Sequence, residues 1–537
     1  MAVNVRGADA LAQSIRAAGI TRLFTLSGNH IMPVFDAALS AGIELVHVRH
    51  EAAAVHMADA WARLTGEPGV ALVTGGPGHA NAVSALYTAQ MSESPVVLLS
   101  GHAPNRQAGW GAFQEMDQAA MAAPVAKASW VAATADGLAA DFARACRVAA
   151  SGRPGPVHLS LPTDALEQAA GSAAPPAQGY APQPMPLQAD RAALFAARLA
   201  QARRPLVLVG PRGWTDAGRA RVAALRRAWG IPVVASESPR GANDPALGAF
   251  APVLGRADCV LLVGKRVDFT LQFGQAFDPA CVFMQIDADE FEYDRTRRAV
   301  GERLHETAQA DTYAALDALA AIPAQGPAGW LAEVEAALAY RPSAWREARG
   351  ADAGLHPAEI CRAVQHVLDS HEDSVLVCDG GEFGQWAQAC LNAPHRIING
   401  AAGAIGAALP MALAARLAYR GAPVVAMMGD GTFGFHCAEM DTAVRYGLPF
   451  ICVVGNDARW NAEYQIQLNQ YGPGRLVGCA LLQTRYDRVA EGFGARGAWV
   501  GRAEALAPAL QAARHASLPT CVNVALDGLP APVVRQG

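Results

Sequence analysis

Two acidic residues carry the first chemical signal in this chain. Asp430 sits in Gly429-Asp430-Gly431-Thr432-Phe433-Gly434, and Asp457 closes Val453-Val454-Gly455-Asn456-Asp457. Two carboxylates can hold a hard cation such as Mg²⁺, glycines admit a ligand close to the backbone, and the free N–H groups of a helix start favour an anion. A metal-bridged diphosphate satisfies all three conditions. The intervening chain must bring the two residues together. Pro423-Val424-Val425-Ala426-Met427-Met428 is a short apolar run bounded by turn residues, which predicts a buried parallel strand. Phe435 to Tyr446 carries apolar or small residues at helical spacing up to Gly447, and Pro449 to Val454 reads as a second buried strand. A right-handed crossover in a parallel sheet would leave Asp430 and Asp457 just past the carboxyl ends of two nearby strands. Alone, Gly-Asp-Gly is a common turn triplet, so this strand–helix–strand context is what makes it informative.

Other chemistry-bearing residues fall at predicted strand ends. Up to about Leu166 the chain alternates strands (Arg22–Leu26, Glu44–Val48, Val70–Thr74, Val96–Ser100, Pro156–Ser160) with helical spacings, which predicts a doubly wound α/β domain. Glu51 opens the helix after the second strand, where an ordinary glutamate would complement the helix dipole. Thr74-Gly75-Gly76-Pro77-Gly78-His79-Ala80-Asn81 is a glycine-rich strand-to-helix turn, Gly28-Asn29-His30 follows the first strand, and Phe113-Gln114-Glu115 lies in a later loop.

A linker rich in Ala, Pro, Gln and Gly runs from Glu167 to about Pro186. The second α/β region, 187–340, has predicted strands at Pro205–Gly210, Ile231–Ala235, Cys259–Gly264 and Val282–Asp287. Its Gly210-Pro211-Arg212-Gly213 turn lacks dinucleotide-fingerprint spacing, so this region reads as structural. A second linker is expected near Arg341 to Gly354. The third α/β region, 355–537, contributes Asp379-Gly380-Gly381-Glu382-Phe383 after the strand Val375–Cys378, and then Gly403-Ala404-Ile405-Gly406.

The 537 residues exceed one ordinary core, and 52% hydrophobic with 17% charged residues is the composition of a globular protein. A net charge of −5 without basic runs gives no footprint for nucleic acid or an anionic membrane, so neither partner is expected. No apolar run reaches the ~18 residues of a membrane-spanning helix and the N-terminus lacks a leader's apolar core, so a cytoplasmic protein is expected. Ten cysteines without a Cys-x-x-Cys pair read as buried thiols in a reducing compartment.

The unit running from Gly429-Asp430-Gly431 to Asn456-Asp457 resembles the thiamine diphosphate signature of the acetolactate synthase, benzaldehyde lyase and oxalyl-CoA decarboxylase superfamily, whose pattern ends in Asn-Asn where this chain has Asn-Asp. The resemblance implies three doubly wound parallel-sheet domains: 1–166 for the pyrimidine, 187–340 central, and 355–537 for the diphosphate. It implies Asp430 and Asp457 as side-chain ligands of Mg²⁺ and the carbonyl of Arg459 as a third, while the competing register makes Asn456 the ligand and Asp457 a loop residue. The extra negative charge of Asp457 beside a diphosphate would need an offset, for which Arg459 is available.

By the same resemblance, Glu51 bonds the aminopyrimidine and exchanges its proton, a role calling for a desolvated carboxyl with a raised pKa. Gly76 and Asn81 lie beside the pyrimidine. Gly381, Glu382, Phe383, Gly403, Gly429, Gly431 and Thr432 surround the diphosphate, Ile405 wedges between the cofactor's rings, and Trp460 lines the substrate side. His30 and Gln114 face the substrate. The implied activity makes or breaks a carbon–carbon bond next to a carbonyl, on a 2-oxo acid or 2-hydroxyketone, with the cofactor as electron sink. Phe113-Gln114-Glu115 favours an acetolactate synthase-like variant, and Asn29-His30 with the Asn-Asp-x-x-Trp loop a benzaldehyde lyase-like one. Gly264-Lys265-Arg266-Val267-Asp268-Phe269 is similar to a segment of the acyl-CoA branch, which gives a 2-hydroxyacyl-CoA or oxalyl-CoA lyase or decarboxylase as an alternative. A catalytically silent subunit of the same fold is the alternative from another class. A homodimer or homotetramer with shared sites is implied, each site drawing Glu51 and Asp430 from different subunits.

Overall fold

The computed structural model describes residues 5–171, 173–350 and 354–534. The leader reading at Met1–Asn4, Ser172 of the first linker, residues 351–353 of the second and the tail's Arg535–Gly537 lie outside these. The chain forms two compact units that divide between Gln183 and Pro184, inside the first expected linker.

The first unit is built on six parallel strands, β1 (Arg22–Thr25), β2 (Glu44–His47), β3 (Gly69–Val73), β4 (Val96–His102), β5 (Ala128–Val131) and β6 (Val157–Pro162), in the order β2-β1-β3-β4-β6-β5. β3 and β6 are buried along their whole length because helices cover both faces, which is why they read as continuous apolar runs. Leu23, Leu72, Leu99, Phe142 and Leu159 form part of one continuous core there.

The second unit holds two sheets. The first comprises β7 (Pro205–Val209), β8 (Val233–Ala235), β9 (Cys259–Val263), β10 (Val282–Asp287) and β11 (Leu304–Gln309), in the order β11-β10-β9-β7-β8. The other comprises β12 (Val375–Cys378), β13 (His395–Ile398), β14 (Val424–Gly429), β15 (Ile451–Asn456), β16 (Arg496–Val500) and β17 (Thr520–Ala525), in the order β13-β12-β14-β15-β17-β16. All pairings are parallel. This six-strand order repeats that of the first unit. The order reverses between β12 and β14, and ligands of doubly wound sheets bind in the crevice at such a switch point.

Three sequence expectations shift. The edge strands β5, β11, β13 and β16 carry no continuous apolar run because their faces are only half covered, and periodicity did not reveal them. The helix expected to begin at Phe435 begins at Asp430, and the segment forms two short helices, Asp430–His436 and Glu439–Arg445. The described start of the second linker is ordered: it contains the helix Ala344–Glu347, and the Arg341 guanidinium bonds the carbonyls of Ala246, Leu338, Tyr340 and Ala389. All ten cysteines are free thiols, eight of them buried. Among the described residues no helix is long and apolar enough to cross a membrane.

Candidate active site

At the carboxyl edge of the third domain, β14 ends at Gly429 and the next helix starts at Asp430, so the helix's first N–H groups face the crevice. β15 lies beside β14 and ends at Asn456, which brings Asp457 to the same edge. A cleft of about 220 Å³ opens there. Its lining includes Gly381, Glu382, Phe383, Gly403, Ile405, Gly429, Asp430, Gly431, Thr432, Asp457, Arg459 and Trp460, so one cavity gathers every residue that the resemblance placed in this domain.

Asp430 is 2% exposed; its Oδ1 accepts the Gly431 N–H at 2.9 Å, while its Oδ2 is buried without a partner among the described residues. Burial pushes this carboxyl up to about 6, against the opposing pull of the Gly431, Arg459 and Ala458 amides. Asp457 is pushed up to about 7, first by burial and then by the charge of Asp430, with Arg459 as partial counterweight. The Arg459 guanidinium lies 4.5 Å over the Tyr464 ring. Two neighbouring carboxylates that resist ionising together are what a divalent cation relieves. Asn456 turns inward instead: its Nδ2 donates to the Thr484 carbonyl at 2.8 Å and to Asn523 Oδ1 at 3.2 Å, and its Oδ1 accepts the Ala458 N–H. Among the described residues no three His, Cys, Asp or Glu side chains form a metal cluster, so a cation here would complete its shell with carbonyls, water or the ligand's own oxygens.

The rest of the cleft combines apolar, glycine and polar side chains, Glu382, Asn461 and Glu463 among them. Trp460 lies so near Gly431 that a Cβ there would stand 2.6 Å from its ring, and Thr432 Oγ1 donates to the Gly429 carbonyl. Ile405 is partly exposed to the cleft. Glu382 is buried and its carboxylate pairs with Arg240 of the central domain at 3.1 Å; burial raises its pKa, and Arg240 opposes the rise.

In the first domain, the helix Glu51–Thr65 begins at Glu51 after β2, capped by the His50 ring, which accepts the Ala52 N–H at 3.1 Å. Glu51 is buried, and its Oε2 accepts a hydrogen bond from Asn81 Nδ2 at 3.1 Å. The helix carrying Asn81, Pro77–Met91, starts at the glycine turn, so two sequence-distant turns meet at one carboxylate. Gly76 has φ +58°, and a Cβ on it would stand 2.8 Å from that of Gln114, itself at φ +58°. A left-handed glutamine is unusual and costs roughly 1–3 kcal/mol unless its surroundings enforce it. His30 is buried, its Nδ1 lies 3.3 Å from Thr74 Oγ1, and its ring stacks on Phe113. Burial lowers its pKa, against a hydrogen bond to the Phe113 backbone that raises it, and so disfavours the charged imidazolium.

Two supporting residues escaped the sequence reading. Gln118 is fully buried; its Oε1 accepts the Gly76 N–H at 2.8 Å and its Nε2 donates to the Gly101 carbonyl and Ser160 Oγ. Asp379, also fully buried, accepts three backbone N–H groups in the third domain. Gln118 lies in no distinctive motif, and Asp379 opens the Asp379-Gly380-Gly381 turn without a role having been read for its side chain. Only its place one residue before Gly380-Gly381 set Asp379 apart.

The architecture, three parallel-sheet α/β domains with a glycine-lined carboxylate cleft at one switch point and a buried glutamate at another domain's edge, defines a cofactor-dependent enzyme class. The comparisons specify it. Residues 5–121 match the thiamine pyrophosphate enzyme N-terminal TPP binding domain, 192–319 the central domain, and 379–524 the C-terminal TPP binding domain. A probable acetolactate synthase of Mycobacterium bovis is 33% identical, covering 96% of this chain and 95% of its own. A 2-hydroxyacyl-CoA lyase 2 of Bos taurus is 32% identical over 92% of this chain and 85% of its own, and an acetolactate synthase large subunit of Parasynechococcus marenigrum is 30% identical over 97% and 87%. The chain belongs to the thiamine pyrophosphate enzyme family and is a thiamine diphosphate-dependent enzyme of carbon–carbon bond chemistry.

Proposed function

We propose that the protein is a Mg²⁺-dependent carboligase or lyase acting on a 2-oxo acid or 2-hydroxyketone, in the manner of an acetolactate synthase. The buried Oδ2 of Asp430, unpartnered among the described residues and beside Asp457, carries the metal part of this reading, since an orphaned carboxylate oxygen in a glycine-lined cleft would suit a divalent cation. Thiamine diphosphate, when bound, supplies the electron sink for the bond that breaks. The protein's own groups hold and orient. Asp430, Asp457 and the Arg459 carbonyl would hold the metal, with the Asn456 amide engaged elsewhere. The N–H groups opening the Asp430–His436 helix and the Gly381 turn would meet the diphosphate. Ile405 and Trp460 would exclude water from the rings and the substrate side.

Glu51, held by Asn81, would exchange a proton with the pyrimidine ring nitrogen, and neutral His30 with Gln114 would meet the substrate. Each site in this reading joins Glu51 of one subunit to Asp430 of another in a cytoplasmic homodimer or homotetramer.

A second reading, a 2-hydroxyacyl-CoA lyase, is favoured by similarity over nearly as much of the chain to several 2-hydroxyacyl-CoA lyase 2 proteins. Incubating the holoprotein separately with pyruvate, glyoxylate, benzoin and a 2-hydroxyacyl-CoA, with products identified by mass spectrometry, decides between them. Acyl-CoA cleavage without 2-oxo acid turnover would overturn the first reading.

A further inference from the structure

We infer that Asp379 is a positioning residue whose buried carboxylate ties the turn after β12 to the loop carrying Ile405, and so sets where that side chain stands in the cleft. The residue follows Cys378 at the end of β12, where its own N–H bonds the Met427 carbonyl of the neighbouring strand. Its side chain then reaches sideways. Oδ1 accepts the N–H of Gly380 at 2.7 Å and that of Gly406 at 2.9 Å, and Oδ2 accepts the N–H of Ala408 at 3.0 Å. Ala408 opens the helix Ala408–Ala418, whose N-cap residue Ala407 supplies no side-chain acceptor; Asp379 caps it from another strand.

Ile405 lies between two clamps. On one side Asn399 Nδ2 donates to the Ala404 carbonyl at 2.9 Å, and on the other Asp379 holds Gly406. The Ile405 side chain also packs on the Gly380 turn: a Cβ on Gly380 would stand 2.8 Å from Ile405 Cγ2. The carboxylate therefore acts on the loop after Ile405 and on the turn beneath it, while Asn399 holds the residue before it. Burial pushes this carboxyl up to about 6 even against the three amides, which favour its charged form. An uncharged carboxamide cannot replace it, because one of its two heads is a donor and would face N–H groups.

The inference rests on the cleft being the cofactor site, and one titration separates the two. Thiamine diphosphate is titrated at fixed Mg²⁺ into the full-length wild type, Asp379→Asn, Ile405→Ala and the double variant, with Trp460 of the cleft as the fluorescence reporter. Asp379→Asn is expected to weaken binding ~10-fold, and the double variant to bind no worse than Asp379→Asn alone, because residues acting as one unit are not additive. Additive losses, or unchanged binding by Asp379→Asn, would overturn the positioning role; absence of binding by the wild type would overturn the cofactor assignment itself. A second measurement needs no variant. In the wild type the amides of Gly406 and Ala408 should exchange hydrogen as slowly as those of β14 and β15. Rapid exchange at both would sink the inference.

Discussion

The first and third domains wind six parallel strands in the same order, yet finish their switch points with opposite chemistry. In the first, the groups around the glycine turn are uncharged amides, hydroxyls and imidazoles: Gln118, Ser100, Ser160, His79 and His158, with Glu51 the carboxylate bonded by Asn81. In the third, carboxylates gather, and Asp379, Asp430 and Asp457 are all driven upward by burial. One backbone thus serves two tasks. A dry, neutral setting suits an uncharged ring and one mobile proton, while crowded carboxylates suit a cation and the anion it bridges. Each domain also holds its glycine turn with a buried acceptor, an amide in one and a carboxylate in the other.

Breaking Glu51, the carboxylate bonded to Asn81 beside the first domain's glycine turn, should have the largest effect. Glu51→Gln is expected to fold and bind cofactor but to lose on the order of 10²-fold or more in turnover, the loss typical of a proton-transfer group. Exchange of the thiazolium proton, followed by NMR, should slow in parallel; unchanged exchange would remove Glu51 from the chemistry. Mixing Glu51→Gln with Asp430→Ala chains should restore part of the activity if sites are shared between subunits, and failure despite confirmed mixed oligomers would end that arrangement.

In the third domain, Asp457→Ala should weaken thiamine diphosphate binding at fixed Mg²⁺ by ~10-fold or more, whereas Asp457→Asn keeps an oxygen, removes a charge and should bind as well or better. Normal binding by Asp457→Ala would exclude it as a ligand. Asn456→Ala should instead act on stability, by about 1–3 kcal/mol in denaturant titrations, because its amide links Thr484 and Asn523.

The neutral setting of the first domain is probed by a pH slope from its buried histidines. His79 is lowered to about 4 by burial and stays neutral in the folded state, while an unfolded imidazole protonates near 6.5. Its contribution is therefore intact above the unfolded value and is lost as pH falls from about 6.5 toward 4, roughly 2 kcal/mol by pH 5. Denaturant midpoints compared between pH 7 and pH 5 should drop, and His79→Asn should flatten that drop; an equal slope in the variant would assign it elsewhere.

Much of the third domain was legible because its central strands are buried on both faces. β14 and β15 read as apolar runs, and the glycines between them have few interpretations once flanked by such runs. The edge strands β5, β11, β13 and β16 were not legible, since half-covered strands carry mixed residues whose pairing depends on the neighbour. Glu51 was placed at a helix start by the sequence, but its bond to Asn81 joins two turns that no local pattern connects.

By itself the sequence determined the class of each domain, the ends of the strands at which chemistry collects, and the residue types available there, because periodicity and turn chemistry are local properties. Only the tertiary structure decided between Asn456 facing inward and Asp457 facing the cleft, and revealed Gln118 and Asp379 as the acceptors beneath the two glycine turns. Those outcomes depend on which backbone N–H groups and carbonyls arrive from distant strands, and a buried polar side chain takes its role from the partners the fold delivers to it.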